Sequence, residues 1–335
     1  MNTVNWGILG TGEVARKFAQ GLRYVPGCKL SAVASRSIEK ANSFAKKFNV
    51  PKAYGTYIEL VRDDAIDVVY IATPNNFHKD HSILCIDNYK GVLCEKPFAL
   101  NLKEAVEVIK YAKEKKVFCM EGMWTRFIPV ISKAKSILQS GQIGEIKTFS
   151  ATFGKLNKFD PFNRLYNKQL GGGSLLDMGV YPLSLALYFL GHPTDVKGFL
   201  SFGETGVDEQ SSIILMFRDG VQAILASHFR VNYPNTINIY GTRGVITIRE
   251  PIYRPSSIMI QKYSYSDKLA QKVILRVREK YFGKRINCSV RGNGYNYEAH
   301  EVVKCLNMGL IESSMMPWND TLKVLEIVDE LSRNK

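Results

Sequence analysis

Short apolar runs alternate with amphipathic stretches along the first part of the chain. Asn5–Leu9, Leu30–Ser35, Val68–Ala72, Gly91–Cys94 and Val117–Met120 are apolar and of strand length. Between them lie helical patterns. One runs from Glu13 through Phe18, Ala19 and Leu22, and a second covers Ile38–Phe48 behind Ser37 as its N-cap. A third covers Phe77–Asp87. A fourth follows Asn101-x-x-Glu104, a capping-box pattern, with Ala105, Val108, Ile109 and Ala112 on one face. Strands alternating with helices predict right-handed crossovers and a parallel sheet covered on both faces. After Gly122 the rhythm changes. A helix reaching Leu138 precedes strand-length segments at Ile146–Phe153, Asp195–Phe202, Ser211–Phe217, Gln222–Arg230, Thr236–Tyr240 and Val245–Ile248. Asp219-Gly220 is a hairpin signal, so this half predicts an antiparallel sheet with one face on helices and the other open to a partner. Helical segments at Tyr295–Leu310 and Leu322–Ser332 close the chain. The expected fold class is α/β: a doubly wound Rossmann sheet over 1–122, then an α/β domain with a large, mostly antiparallel sheet over 123–335. The last helices are free to pack back on the first domain.

Composition changes this picture little. A chain of 335 residues suits two domains, and 45% apolar with 23% charged residues is ordinary globular usage. No stretch reaches the ~20 uninterrupted apolar residues of a membrane span. Met1 to Asn5 lacks a basic and apolar leader, which points to the cytoplasm. The six cysteines form no C-x-x-C pair and read as reduced, mostly buried thiols. The net charge is +14, and the densest basic region is Lys268–Arg291, where apolar Leu269, Val273, Leu275, Val277 and Tyr281 recur at helical spacing. A solvated amphipathic face is the leading reading of that segment, and an anionic ligand or membrane surface is the alternative. No nucleic-acid motif accompanies it.

Candidate chemistry lies at the ends of the strands. Gly10-Thr11-Gly12-Glu13-Val14-Ala15 follows a strand and opens a helix, the context of a dinucleotide-binding loop. Gly10 serves the tight turn, Gly12 the approach of a pyrophosphate, and the helix N-terminus its charge. The next strand ends in Ser35-Arg36-Ser37, where an NAD enzyme carries an acidic residue. A hydroxyl and a guanidinium suit a 2′-phosphate, so NADP is favoured, with NAD as the alternative. Thr73-Pro74-Asn75, His78 and Glu95-Lys96-Pro97 follow strands at the end where ligands bind. His78 and His81 form H-x-x-H, but no third ligand lies near and no metal is expected. In the second half, Gly171-Gly172-Gly173-Ser174 precedes a helix running to about Leu190. Asp177 and Tyr181 share one face of it, one turn apart. Ser174 would cap it, and the glycines would let a ligand reach the backbone. The alternative is a core tyrosine and a structural carboxylate. A weaker competitor is Tyr297-Glu298-Ala299-His300-Glu301.

Together, Gly10-Thr11-Gly12, Ala72-Thr73-Pro74-Asn75, Cys94-Glu95-Lys96-Pro97, Gly172-Gly173 through Asp177 to Tyr181, and Met120-Glu121-Gly122-Met123-Trp124-Thr125-Arg126 resemble one family. It is the glucose–fructose oxidoreductase/inositol dehydrogenase (Gfo/Idh/MocA) family. The dimeric dihydrodiol dehydrogenases and NADP-dependent D-xylose dehydrogenase-like members are the most similar. The resemblance implies that Lys96 lies by the nicotinamide. Most of the family has histidine where this chain has Tyr181, and the dihydrodiol dehydrogenase pattern has tyrosine.

The activity so implied is hydride transfer between NADP(H) and a secondary alcohol or hemiacetal carbon of a sugar or cyclic diol. Tyr181 would be the acid/base, Lys96 its assistant, and Asp177 the holder of a substrate hydroxyl or of Lys96. Trp124, Arg126, Phe153 and Tyr166 are candidates for the pocket wall. A homodimer or homotetramer is expected. A sugar-nucleotide or cell-surface-sugar oxidoreductase is one alternative, and a non-catalytic NADP(H) sensor is another.

Overall fold

Apolar runs become strands where both of their faces are covered. The computed structural model describes residues 3–263 and 283–333. The amphipathic helix expected within 268–281 lies outside the described residues. Two compact units emerge: Met1–Trp124, Gln169–Gly171 and Arg291–Asp329 form one, and Thr125–Lys168, Gly172–Val290 and Glu330–Lys335 the other.

The first unit holds six parallel strands: β1 (Val4–Leu9), β2 (Cys28–Ala34), β3 (Lys52–Tyr54), β4 (Val68–Ile71), β5 (Gly91–Glu95) and β6 (Cys119–Gly122), in the order β3-β2-β1-β4-β5-β6. The order reverses direction between β1 and β4, where doubly wound sheets open a ligand crevice. Every residue of β4 and β5 is buried, which is why both read as unbroken apolar runs. The helices are α1 (Glu13–Leu22), α2 (Ile38–Phe48), α3 (Tyr57–Val61), α4 (His78–Asp87) and α5 (Leu102–Lys115). Ser37 caps α2 by accepting the Lys40 N–H. Asn101 accepts the Glu104 N–H at 2.9 Å, whereas the Glu104 carboxylate takes the N–H of Leu100, one residue before the expected capping-box partner. Neither β3 nor α3 is visible in the apolar periodicity. Three residues and one helical turn are too short for it, although α3 carries a complete Thr56–Glu59 capping box. Two late helices complete the unit: α8 (Tyr295–Asn307) and α9 (Trp318–Arg333), the latter up to Asp329. Trp318 donates its indole N–H to the Cys119 carbonyl at 2.8 Å, and Thr321 donates to Glu121 at 2.9 Å, which ties α9 to β6.

In the second unit the sheet order is β14-β13-β12-β11-β7-β10-β9-β8. The strands are β7 (Ile146–Gly154), β8 (Asp195–Phe202), β9 (Asp208–Met216), β10 (Gln222–His228), β11 (Ile237–Gly241), β12 (Gly244–Ile248), β13 (Ser257–Lys262) and β14 (Lys284–Asn287). All pairs are antiparallel except β7 with β10. Asp219, at φ 61°, makes the β9–β10 turn that its sequence signals. The inner face buries Phe149, Ala151, Ile213, Leu215, Ala223, Leu225, Ile237 and Ile239. The helices α6 (Pro129–Gln139) and α7 (Val180–Leu190) pack on this sheet. The sequence pattern misses β13 and β14; β14, Lys-Arg-Ile-Asn, is a short, charged edge with no apolar run to mark it. One run, Lys168–Leu190, is long and apolar enough to cross a membrane, but 83% of its apolar window is buried inside the fold. Apolar residues around the whole circumference of α7 mark it as a core helix.

Candidate active site

The nucleotide side is built from the ends of β1, β2, β4 and β5. Gly10 sits at φ +102°, and a Cβ there would lie 2.7 Å from the Ala72 carbonyl oxygen, so only glycine makes this turn. Gly12, the N-cap of α1, has no protein atom within 4 Å of its missing Cβ. No side chain caps α1, so no capping side chain competes with a ligand for the N–H groups at the positive helix end. Thr11 and Gly12 border a cleft of about 570 Å³ that also presents Arg16, Lys40 and Lys47. Glu13 is exposed and paired with Lys17 at 2.7 Å, so it offers a ligand only its backbone, as does half-buried Val14. Ser35 is buried and accepts the Ser37 N–H at 3.4 Å. Arg36 lies over the Phe77 ring, 5.9 Å from its centroid.

Thr73, Pro74 and Asn75 follow β4. Thr73 bonds His81 Nδ1 at 2.9 Å, and Asn75 donates to the Gly171 carbonyl at 3.3 Å. Burial pushes the His81 imidazole down to about 4, with the neighbouring His78 adding to the effect. The expected cofactor ligand His78 is wholly buried. Its two ring nitrogens face the Pro97 and Thr73 carbonyls at 2.7 and 2.9 Å. It therefore stands behind the two loops and joins them, and with both nitrogens engaged it offers neither to a metal. Among the described residues, no group of three or more His, Cys, Asp or Glu could hold a metal ion. Lys96 is half-buried just past β5, and its N–H donates to Glu95 at 3.2 Å. Glu95 also accepts the Tyr70 hydroxyl. Burial raises its carboxyl to about 7 against the opposing pull of Tyr70 and Lys96.

The second set of residues lies in the other unit, where the expected helix does not start regularly. Leu175–Gly179 is a π-turn that runs into α7, a distortion frequent at functional sites. Ser174 does not cap it. Its hydroxyl donates to Asp208 at 2.8 Å, and the same Asp208 oxygen accepts the Leu175 N–H at 2.7 Å. Burial raises the Asp208 carboxyl, and these bonds oppose the shift. Gly173, at φ +124°, would place a Cβ 2.3 Å from Asp208. The room at this glycine is taken by the protein's own carboxylate, not left for a ligand. Asp177 is buried and bonded to Arg164 at 3.0 Å. Tyr181 is 6% exposed and meets Phe153 edge-on at 5.3 Å, while Phe153 stacks on Tyr253 at 5.8 Å.

Two expected wall residues are placed in packing. Arg126 is fully buried, with Nε on the Ser184 hydroxyl at 2.7 Å and Nη2 on the Ser184 carbonyl at 2.6 Å. Tyr166 is fully buried between Phe159 and Phe229 and donates to the Asn157 carbonyl at 3.2 Å. Side chains with no accessible surface line no open pocket. Trp124 stacks on Tyr295 at 4.6 Å and 10°. Sequence reasoning missed Arg16, Lys40 and Lys47, although Lys40 follows Ser37 within the first turn of α2. It also missed Arg164 and Tyr253, which no sequence signal marks.

The family of NAD-binding Rossmann-fold oxidoreductases matches residues 4–123, and the GFO/IDH/MocA C-terminal domain matches 131–247. The chain belongs to the Gfo/Idh/MocA oxidoreductase family. It is 38% identical to trans-1,2-dihydrobenzene-1,2-diol dehydrogenase of Xenopus tropicalis over 97% of this chain and 96% of that one. The Bos taurus enzyme of the same name is 32% identical over 98% and 96%. An aldose-aldose oxidoreductase from Caulobacter crescentus shares the fold at a TM-score of 0.85 and 23% identity, covering 99% of this chain and 97% of that one. A 3-ketoreductase from Actinomadura kijaniata, crystallised with NADP, does so at 0.84 and 23%, covering 98% and 97%. As a Gfo/Idh/MocA member the protein is an NAD(P)-dependent oxidoreductase. The open Gly12 and the uncapped N-terminus of α1 fit a dinucleotide pyrophosphate.

Proposed function

We propose that the protein is an NADP-dependent dehydrogenase or reductase acting on a secondary alcohol or hemiacetal carbon of a sugar or cyclic diol. The observation that carries this reading is Tyr181, a phenol on a π-turned helix one turn from Asp177, in a chain that also presents Lys96 beyond β5. The names of the full-length relatives support a diol-type substrate.

Gly10, Thr11 and Gly12 with the N-terminus of α1 would hold the pyrophosphate. Arg36 and Lys40 would meet a 2′-phosphate as charge-assisted donors. When bound, the nicotinamide supplies the two-electron redox step. The chain's own residues handle the proton. In the oxidative direction the substrate hydroxyl gives its proton to the Tyr181 oxygen, and the hydrogen on its carbon leaves as hydride. A phenol titrates near 10 and is a poor base at neutral pH; an ammonium brought beside it, the role we assign to Lys96, would favour the tyrosinate. Asp177, held by Arg164, would orient a second substrate hydroxyl. Phe153 and Tyr253 offer aromatic faces to ring carbons.

The test is turnover on a panel of aldoses, sugar nucleotides and trans-diols with NADP⁺ and NAD⁺. Tyr181→Phe and Lys96→Met should each lower kcat/KM by roughly 10²–10⁴-fold while NADPH binding is retained. Near-normal turnover in either variant sinks the assignment. The outward sheet face exposes Phe199 (84%), Ile214, Ile224 and Tyr240, which supports a homodimer or homotetramer. Light scattering on the purified chain checks the assembly. Six free cysteines, four of them buried, support a cytoplasmic enzyme.

A further inference from the structure

Behind Lys96 lies a set of buried acids that the mechanism above does not use. Glu298, on α8, has no exposed surface, and neither of its carboxylate oxygens has a hydrogen-bond partner. Its position is defined by Gly122, which pairs with Glu95 across β6 and β5. A Cβ on Gly122 would lie 3.4 Å from Glu298 Oε2 and 3.5 Å from the Glu95 Cα. The Glu298 carboxyl therefore points at the end of β5, beside Glu95 and next in sequence to Lys96.

The groups that face this pair come from every element around it. Tyr70 on β4 donates its hydroxyl to Glu95. Glu121 on β6 accepts the Phe98 N–H at 3.3 Å and the Thr321 hydroxyl at 2.9 Å, so two of its bonds are made elsewhere. Tyr295 lies on α8, one turn before Glu298. Lys96 is the cation that acts on Glu95. Two carboxylates close together in a dry site, with Lys96 acting on Glu95 alone, leave an uncompensated charge, which is costly unless a proton neutralises it. Burial and the charge of Glu95 raise the Glu298 carboxyl well above the usual range, in keeping with that geometry.

We propose that Glu298 carries a proton of its own beside Glu95, and that it is a positioning residue that sets whether one or two negative charges stand at the end of β5, next to Lys96, as pH changes. At neutral pH Lys96 meets one carboxylate. In alkali the Glu298 proton leaves to solvent, and the second carboxylate then strengthens the hold of Lys96 on its own proton. No bond other than O–H is made or broken. The pair's two proton losses belong to the couple and not to either residue. The inference rests on Lys96 acting in the proposed dehydrogenase reaction, but the existence of the pair does not.

Two measurements separate these parts. Infrared spectroscopy of the wild-type chain at pH 7 should show a protonated-carboxyl band that disappears on alkaline titration. Glu298→Gln should weaken it by one carboxyl's share, and the exposed control Glu114→Gln should leave it unchanged. A raised folded-state value means that folding takes up a proton, so wild-type stability should fall as pH rises above the ordinary carboxyl range. Glu298→Gln should remove about one proton from that slope. Glu298→Met serves if the glutamine variant does not fold. A wild-type protein without the band, or parallel stability curves, overturns the pair.

The second measurement is the pH profile of kcat/KM on the best substrate. Without the second carboxylate, Lys96 loses its proton more readily, so the alkaline limb of Glu298→Gln should move down by about one pH unit. A limb that stays in place refutes action through Lys96. If the chain oxidises no alcohol, the infrared and stability results still decide the pair.

Discussion

Gly12→Ala isolates the cofactor loop from the fold. Gly12 lies at φ −69° and ψ −174°, extended backbone that alanine adopts freely. Its missing Cβ has no protein atom within 4 Å, so the methyl meets nothing in the folded chain. Alanine caps a helix less well than glycine, but it also has less freedom to lose on folding. The two effects are each under about 1 kcal/mol and oppose one another, so net stability should change by no more than about 0.5 kcal/mol. Only a bound pyrophosphate should feel the methyl. Loss of close backbone approach should weaken NADPH binding by roughly ten- to a hundredfold, or about 1.4–2.8 kcal/mol. Urea unfolding gives the stability, and quenching of intrinsic fluorescence by NADPH gives the Kd. Unchanged affinity in Gly12→Ala would show that the open space is not where the phosphates lie. A large loss of stability would show that the methyl meets the folded chain and that the loop is not open at Gly12.

Three further outcomes follow from single contacts. Asp208→Ala leaves the Leu175 N–H and the Ser174 hydroxyl without their acceptor, and should destabilise the chain by about 2–4 kcal/mol in urea unfolding. Arg36→Ala should weaken NADP⁺ more than NAD⁺, by roughly tenfold in the ratio of their Kd values, and an unchanged ratio removes Arg36 from 2′-phosphate recognition. The His81 imidazole is held down to about 4 from an unfolded value of 6.5, so the unfolded chain binds the extra proton between these values. Stability should therefore fall as pH drops from 6.5 towards 4 and level off above 6.5, and His81→Gln should flatten that slope in thermal melts.

The parallel sheet was legible because β4 and β5 are buried on both faces and so appear as apolar runs. The glycine loop was legible because its turn at Gly10 tolerates no side chain. Failures came where local pattern and tertiary contact diverge. Ser174 looks like an N-cap, but Asp208 from β9 supplies the acceptor to Leu175, a partner 33 residues away that no local signal reveals. Arg126 looks like a surface cation near a ligand, yet Ser184 on α7 takes its guanidinium into the core. Tyr166 has the composition of a pocket wall, and three-dimensional packing against Phe159 and Phe229 removes it from any surface. His78 sits in a loop motif and turns inward to join two carbonyls.

From the sequence alone came the doubly wound sheet, the nucleotide loop, the mostly antiparallel second sheet and the candidate pair of Lys96 and Tyr181. Periodicity, turn chemistry and motif spacing are local properties of a chain. Tertiary structure decided which polar side chains are satisfied and which are not, because that depends on partners distant in sequence. It turned a helix start into a π-turn, drew Arg164 to Asp177, and placed an unpartnered Glu298 beside the strand that carries Glu95. The charge state behind Lys96 follows from that last juxtaposition, since burial sets the cost of a carboxylate only once its neighbours are known.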